Sequence, residues 1–110
     1  MLELNAKDLQ SWAAEPGASL QLLDVREPWE LATAALRIDG TQALDIPMMQ
    51  IPLRLAELDR SRSVICICHH GARSAQVVAF LMQLGFDHAY NLAGGIEAWS
   101  TEVDPRVPRY

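Results

Sequence analysis

Residues 64–67 form a continuous apolar run, Val64-Ile65-Cys66-Ile67, which is rich in β-branched side chains and too short for a helix by itself. Such a run is typical of a strand in the middle of a sheet that is covered on both faces. A segment with helical spacing follows, and its apolar residues share one face: Ala75, Val78, Leu81 and Met82. A buried strand that leads directly into a helix predicts a parallel α/β fold.

The same alternation of strand and helix patterns extends along the rest of the chain. Asn5 is expected to cap a first helix, and Gly85 fits the left-handed position that ends the helix after Cys68. The prolines of the tail, residues 104–110, favour an extended chain. Strands are predicted over residues 20–25, 43–46, 64–68 and 89–92, and further helices over 6–14, 29–36, 52–58 and 96–102.

Length and charge bound the kind of protein. A chain of 110 residues is predicted to be one domain, residues 1–110, with a modest core. The formal net charge of −5, without a cluster of Lys and Arg, argues against a nucleic-acid partner. No apolar run is long enough to cross a membrane, and residues 1–5 lack the profile of a signal peptide. We therefore expect a soluble cytoplasmic protein without membrane contact.

The two cysteines point to thiol chemistry rather than to a disulfide. Cys66 and Cys68 are two positions apart in an extended segment, where an unstrained disulfide is disfavoured, so reduced thiols are expected. Cys68 lies at the carboxyl end of a predicted central strand, where parallel sheets bind ligands. It also precedes a helix N-terminus, which favours an anion. Gly71 is expected to provide the positive φ that turns the loop amides toward the sulfur. This pattern indicates a nucleophilic cysteine.

One stretch of the sequence resembles the active-site loop of the rhodanese family, whose single-domain members are sulfurtransferases. This stretch is Cys68-His69-His70-Gly71-Ala72-Arg73-Ser74. Three other segments are similar to the family's motifs, in the family's order. They are Leu23-Asp24-Val25-Arg26-Glu27, Ile46-Pro47 and Gly94-Gly95-Ile96-Glu97-Ala98-Trp99. The resemblance covers about residues 3–100. It implies a single-domain rhodanese-like α/β fold, in which a central parallel sheet of about five strands is flanked by helices on both faces, with an extended tail over 101–110.

The function that the resemblance implies is sulfur transfer. In the family the loop cysteine carries a sulfane sulfur as a persulfide, so Cys68 is the implied catalytic residue. The sulfur would pass from a donor such as thiosulfate to a thiophilic acceptor such as cyanide or a thiol, with an acceptor protein as a further candidate partner. No cofactor and no metal are implied. His69 and His70 are the variable part of such a loop, and we expect them to tune charge or select donors, since persulfide exchange needs no base.

The remaining loop residues are expected to support the sulfur anion. A helix dipole stabilises an anion by at most ~2 kcal/mol, so several loop amides, with Arg73 or a protonated His69 or His70, are expected to share the task. Arg73 matches the family's loop-closing arginine and is expected to bind an anionic donor or to organise the loop through carbonyl groups. Ala72 belongs to the same loop, and Ser74 stands where a hydroxyl caps the helix.

Two residues near the end of the first predicted strand, Asp24 and Arg26, are expected to support the cysteine loop. Asp24 matches the family's aspartate at the end of the neighbouring strand, and we expect it to hold the loop as a hydrogen-bond acceptor. Arg26 and Glu30 are four positions apart and are expected to pair across the start of the next helix. Trp99 and Gly94-Gly95 are interpreted as packing and turn residues.

Three alternative functions remain open. Cysteine phosphatases related to this fold use a wider loop with five intervening residues, whereas four residues separate Cys68 from Arg73. The chain also offers no clear general acid for a leaving alcohol. A metal carrier would find soft and borderline ligands in Cys66, Cys68, His69 and His70, although no second cluster completes four-fold coordination. A rhodanese-like regulatory module that binds partners without turnover is the third alternative.

Overall fold

The computed structural model of the chain describes residues 2–110. Its centre is a sheet of five strands, β1 (Leu2–Leu4), β2 (Leu20–Asp24), β3 (Gln42–Asp45), β4 (Ser63–Ile67) and β5 (Ala89–Leu92). All five strands are parallel, and their spatial order is β1-β5-β4-β2-β3. The α-helices are α1 (Ala6–Ala13), α2 (Pro28–Thr33), α3 (Ala72–Gln83) and α4 (Gly95–Glu102). The predicted α/β fold with a parallel sheet of about five strands is confirmed.

Helices cover both faces of the sheet. One core cluster joins the sheet to α1 and α4, and a second joins it to α3. The residues of β4 alternate between the two clusters: Ile65 and Ile67 belong to the first, and Val64 and Cys66 belong to the second. Because β4 is buried on both sides, each of its positions from 64 to 67 favours an apolar side chain. This is why the strand reads as an uninterrupted apolar run.

Local signals set several of the helix ends. Asn5 Oδ1 accepts a hydrogen bond of 2.8 Å from the N–H of Asp8 at the start of α1, as predicted. Gly85 has a φ of +89° after α3, and the N–H of Phe86 then donates to the carbonyl of Leu81 at 3.0 Å. Capping and left-handed glycine termination therefore confirm two of the predicted helix boundaries.

The predicted helix over residues 52–58 is wrong. The chain forms two 3-10 helices there, over Met48–Leu53 and Leu55–Glu57. Pro52 lies inside the first of them and has no N–H for an α-helical hydrogen bond. The helix predicted over 29–36 ends earlier, at Thr33, because Ala34 takes an extended conformation and Leu36 is buried beyond it. The extended chain after Thr33 places the side chains of Ala34 and Leu36 in the core.

The two ends of the chain also differ from the prediction. The sequence did not indicate β1, which pairs in parallel with β5 in the register Leu2↔Tyr90. The tail is not simply extended, since the N–H of Val107 donates to the carbonyl of Asp104 at 3.1 Å and closes a turn. Val107 is buried, and its carbonyl accepts a hydrogen bond of 2.6 Å from the Ser100 hydroxyl. The tail therefore folds back onto α4.

The strand order indicates where in this sheet a ligand would bind. The chain passes from β2 outward to β3 and then returns to the other side of β2 as β4. Ligands of open parallel sheets bind beyond the carboxyl ends of strands at such a reversal. The loops that follow β2 and β4 meet there. Separately, within residues 2–110 every helix is too short or too polar to reach across a bilayer.

Candidate active site

Cys68 lies immediately after β4, with its side chain in the concave loop that precedes α3. The residue is 1% exposed. Its Sγ accepts hydrogen bonds from the N–H of Gly71 at 3.1 Å and the N–H of Ser74 at 3.4 Å, and the Ser74 hydroxyl oxygen lies 3.2 Å from it. Donors that converge on one atom at a helix N-terminus stabilise negative charge on that atom. The geometry suits a sulfur that carries charge as a thiolate.

Gly71 shapes this loop. It occupies the capping position of α3 with a φ of +109°, in agreement with the predicted positive φ. A Cβ at Gly71 would lie 3.3 Å from the N of Gly94. Ser74 was expected to cap α3, and this expectation is wrong because Gly71 holds the capping position and Ser74 is the third residue of the helix. The Ser74 side chain faces the sulfur and Asn91 instead.

The start of α4 holds the loop from the other side. The N–H of Ile96 donates to the carbonyl of Cys68 at 2.9 Å, and the N–H of Glu97 donates to the carbonyl of His69 at 3.1 Å. Otherwise unpaired amides at the N-terminus of one helix thereby fix the carbonyls of the cysteine loop. The Gly94-Gly95 turn that precedes α4 thus has a role in loop placement as well as in chain reversal.

Arg73 is engaged by a buried carboxylate. Its guanidinium forms two hydrogen bonds with Glu30, of 2.7 and 2.8 Å. The Glu30 side chain is 4% exposed and that of Arg73 is 36% exposed. The paired arginine lowers the pKa of Glu30 to about 2, an effect that outweighs the cost of burying the carboxylate. Arg73 therefore does not organise the loop through carbonyl groups, as one expectation had it. It links α3 to α2 through a bidentate ion pair with Glu30.

Arg26 forms a second buried pair, with Asp24. The Arg26 side chain is fully buried, and its Nε and Nη2 donate to the two Asp24 oxygens at 2.9 and 2.8 Å. A further bond of 2.8 Å reaches the carbonyl of Ala34. Two expectations are corrected here. Asp24 accepts hydrogen bonds from Arg26 rather than from the cysteine loop. Of the groups of Glu30, Arg26 contacts the backbone carbonyl and not the carboxylate, because the carboxylate is paired with Arg73.

Tyr110 joins these two pairs, a contact that no local sequence pattern indicates. Its hydroxyl donates to Glu30 at 2.6 Å and accepts from Arg26 at 2.9 Å. Its ring stacks on His69, with centroids 3.9 Å apart and planes at 6°, and His69 also stacks on His70 at 3.9 Å. Burial, and next the neighbouring His70, lower the pKa of His69. A protonated His69 beside the sulfur is thus disfavoured, contrary to one of the sequence expectations.

The second thiol has a different environment. Cys66 is fully buried within β4, and burial raises the pKa of its thiol above the ordinary value. It is therefore protonated at neutral pH and packs as a small apolar side chain. In the part of the chain from residue 2 onward, no group of three or more His, Cys, Asp and Glu side chains is arranged to hold a metal ion. The metal-carrier alternative finds no coordinating cluster in that part.

Three residues of the site were missed or misassigned from the sequence. Glu30 was assigned to Arg26, and its link to Arg73 spans 43 positions. Tyr110 reaches Glu30 across 80 positions, and no local pattern indicates such a contact. The sequence does carry a signal for Asn91, because it is a polar residue among the apolar side chains of β5. Buried polar side chains require partners, so Asn91 could have been identified as part of a network.

Removal of the Glu30 charge is expected to weaken the fold with a characteristic pH dependence. Since the pKa of Glu30 is lowered from 4.5 to about 2 in the folded state, its ion pair contributes stability above pH 4.5 that is lost as the pH falls through about 2. After allowance for solvent around Arg73, Glu30→Gln should lower the free energy of unfolding at pH 7 by about 2 kcal/mol, with a shrinking difference below pH 4.5. Urea unfolding at several pH values measures this difference.

Glu57→Gln is the matched control for that prediction. Glu57 also pairs with an arginine, Arg54, but this pair lies on the surface. Surface pairs are screened by solvent and contribute little. The Glu57 variant should therefore unfold like the native protein. A difference between Glu30→Gln and native protein that does not change between pH 7 and pH 2 would contradict an electrostatic role for Glu30.

The chain matches the family model described as a rhodanese-like domain over residues 5–102. It is 39% identical over 105 residues to a protein of Allochromatium vinosum named sulfurtransferase, with 96% of this chain and 94% of that protein covered. It is 35% identical over 80 residues to a thiosulfate sulfurtransferase, GlpE, of Pseudomonas fluorescens, with 73% of this chain and 70% of that protein covered.

A solved structure gives the same result for the fold. The crystal structure of a rhodanese-like domain protein from Staphylococcus aureus superposes with a TM-score of 0.81 at 31% identity, over 100% of this chain and 99% of that one. The resemblance inferred from four short motifs is thereby confirmed over nearly the whole described chain. The chain belongs to the family of rhodanese-like domains, whose members among its relatives include sulfurtransferases.

Proposed function

We propose that the protein moves a sulfane sulfur from a donor such as thiosulfate to a thiophilic acceptor, through a persulfide on Cys68. The observation that carries the proposal is the convergence of two amide N–H groups on the Sγ of Cys68, with the Ser74 hydroxyl oxygen 3.2 Å from the same atom. Donors arranged in this way stabilise negative charge on a sulfur atom. They do so without metal or cofactor chemistry, since thiolate attack on a sulfur donor requires neither.

The reaction has two steps. In the first, the Cys68 thiolate attacks the outer sulfur of thiosulfate, a new S–S bond forms, and sulfite leaves with the electron pair of the S–S bond that breaks. In the second, cyanide or a thiol attacks the outer sulfur of the persulfide, and Cys68 leaves as a thiolate. The N–H groups that donate to Sγ stabilise the negative charge of the thiolate both before the first step and after the second.

The choice of thiosulfate as donor rests on two supports. The relative in Pseudomonas fluorescens is named a thiosulfate sulfurtransferase. Arg73, although paired with Glu30, keeps 36% of its side chain exposed next to the cysteine loop, where it attracts an anionic donor. Cyanide is the assay acceptor. A thiol or the cysteine of an acceptor protein is the acceptor class that the same chemistry would serve.

Incubation with thiosulfate is expected to add about 32 Da, one sulfur atom, to the reduced protein. Peptide mapping under non-reducing conditions should place the added mass on the peptide that contains Cys68. Because both cysteines fall within one short segment, fragment ions between Cys66 and Cys68 must separate the two sites. Later addition of cyanide should remove the added mass and release an equal amount of thiocyanate.

Two outcomes would overturn the proposal. One is the absence of both the mass gain and thiocyanate from folded protein, which would favour a module that binds partners without turnover. The other is turnover of an aryl phosphate with no sulfur transfer, which would favour the phosphatase alternative. A mass gain on Cys66 alone would retain the reaction class but move the nucleophile, which burial of that thiol opposes.

A further inference from the structure

Ser74 has more acceptors than hydrogens. Its hydroxyl oxygen lies 2.5 Å from Asn91 Oδ1, 3.2 Å from Cys68 Sγ and 3.3 Å from the carbonyl of Gly71. A hydroxyl donates one hydrogen at a time. The three acceptors therefore compete for it, and the shortest distance favours Asn91. The Cys68 sulfur receives a third hydrogen bond only when the Ser74 hydrogen points to it rather than to Asn91 or Gly71.

The orientation of the Asn91 amide is fixed by its surroundings. Its Nδ2 donates to the Glu3 carboxylate at 3.0 Å and to the carbonyl of Gly71 at 3.2 Å. Both partners are acceptors only, so an amide turned the other way would set oxygen against oxygen on this side. Oδ1 must then face Ser74. Since Asn91 is 2% exposed, water offers Ser74 no alternative acceptor there.

We propose that Asn91 is a positioning residue that restrains Cys68 by drawing the Ser74 hydrogen away from the sulfur. While the cysteine is a thiol, the Ser74 hydrogen points to Asn91 Oδ1, and the lone pairs of Ser74 are free to accept the S–H of Cys68. When Cys68 becomes a thiolate, the hydroxyl turns to the sulfur and gives up its bond to Asn91. Formation of the nucleophile thus includes the loss of one neutral hydrogen bond.

The consequence is that removal of the Asn91 acceptor should make the cysteine more reactive. A side chain without an oxygen at position 91 leaves the Ser74 hydroxyl to Cys68 in both protonation states. A neutral hydrogen bond contributes on the order of a threefold to tenfold change in an equilibrium at 25 °C. The rate at which the Cys68 sulfur reacts with an electrophile should rise by a comparable factor. The carbonyl of Gly71 keeps a partner in this variant, the N–H of Ala75 at 3.1 Å, so α3 still holds the loop.

The test is the rate at which iodoacetamide alkylates Cys68 at pH 7, followed by mass spectrometry of the peptide. Asn91→Leu should react about threefold to tenfold faster than native protein. Ser74→Ala should react no faster than native protein, because it has no hydroxyl to release. In the double variant, Asn91→Leu should have no effect beyond that of Ser74→Ala. Non-additivity of this kind separates a role through Ser74 from a general loosening of the loop.

Asn91→Gln is the conservative control, because it keeps a neutral side-chain oxygen acceptor for Ser74 together with an amide donor for Glu3, and it should not accelerate alkylation. If Asn91→Leu does not fold, Asn91→Ala removes the same acceptor with less bulk and carries the same expectation. Equal or slower alkylation of the leucine or alanine variant, or the same acceleration in the Ser74→Ala background, would overturn the inference. The inference rests on Cys68 as the nucleophile of the proposed function, but alkylation requires no sulfur donor, so failure of sulfur transfer is a separate result.

Discussion

Replacement of Cys68 by serine is expected to lower the rate of sulfur transfer from thiosulfate to cyanide by at least about a thousandfold. An oxygen at this position cannot form the S–S bond that carries the sulfur between donor and acceptor. A serine hydroxyl is also not ionised near neutral pH, so the loop donors that face Sγ would have no anion to stabilise. Thiocyanate formation, measured with saturating thiosulfate, gives the rate for each variant.

The fold should survive this replacement, which makes the result interpretable. Serine is close to cysteine in size, and its oxygen can accept the hydrogen bonds that the N–H groups of Gly71 and Ser74 now give to the sulfur. Circular dichroism and the thermal midpoint should show a folded protein. Full activity in folded Cys68→Ser protein would remove Cys68 as the nucleophile and with it the proposed persulfide.

Cys66→Ser is the matched control, since it makes the same chemical change two residues earlier. Cys66 is in the middle of β4, with its side chain in the core cluster that faces α3. A buried hydroxyl without a partner costs about 1–3 kcal/mol of stability, so this variant should melt earlier. Its activity at a temperature where it is folded should stay within about twofold of native protein, because no step of the proposed reaction uses the Cys66 thiol. The pair of variants thereby separates a chemical role from a packing role.

The parts of the fold that could be predicted are those with local causes. The strand over residues 64–67 and the helix that follows show their burial in consecutive residues, so the pattern alone predicts them. β1 has three residues and no period of its own, and it exists because it pairs with β5 at the far end of the chain. Such non-local pairing leaves no mark in the short segment. The helix predicted over residues 52–58 failed for a local reason, the proline at position 52.

The same division holds for the candidate site. The cysteine loop is a continuous segment, and its cysteine, its glycine turn and its place after a central strand follow from the order of residues. The support behind the loop is not continuous. Buried carboxylates and guanidinium groups can pair in several ways, and the sequence neighbours Arg26 and Glu30 suggested the wrong pair. The actual partners are decided by which side chains the sheet brings to one edge, and Tyr110 arrives there from the tail.

Gly95→Ala is expected to combine a loss of stability with a loss of activity. Gly95 has a φ of +60°, which is unfavourable for alanine, and a Cβ there would lie 2.4 Å from the carbonyl oxygen of His69 and 2.5 Å from that of Cys68. Backbone strain and the steric clash together should cost about 2–5 kcal/mol. The cysteine loop must move to relieve the clash, and displacement of a reacting group by about 1 Å typically costs about a hundredfold in rate.

Gly40→Ala separates the two effects, because Gly40 also has a positive φ, of +79°, but a Cβ there would meet no atom within 4 Å. This variant should lose about 1–2 kcal/mol from backbone strain and keep its activity. Both variants are compared by urea unfolding and by thiocyanate formation at a temperature where each is folded. If Gly95→Ala loses stability like Gly40→Ala but keeps its rate, contact between the start of α4 and the cysteine loop does not position Cys68. A selective loss of rate in Gly95→Ala would show that the placement of Cys68 depends on the α4 side of the sheet as well as on its own loop.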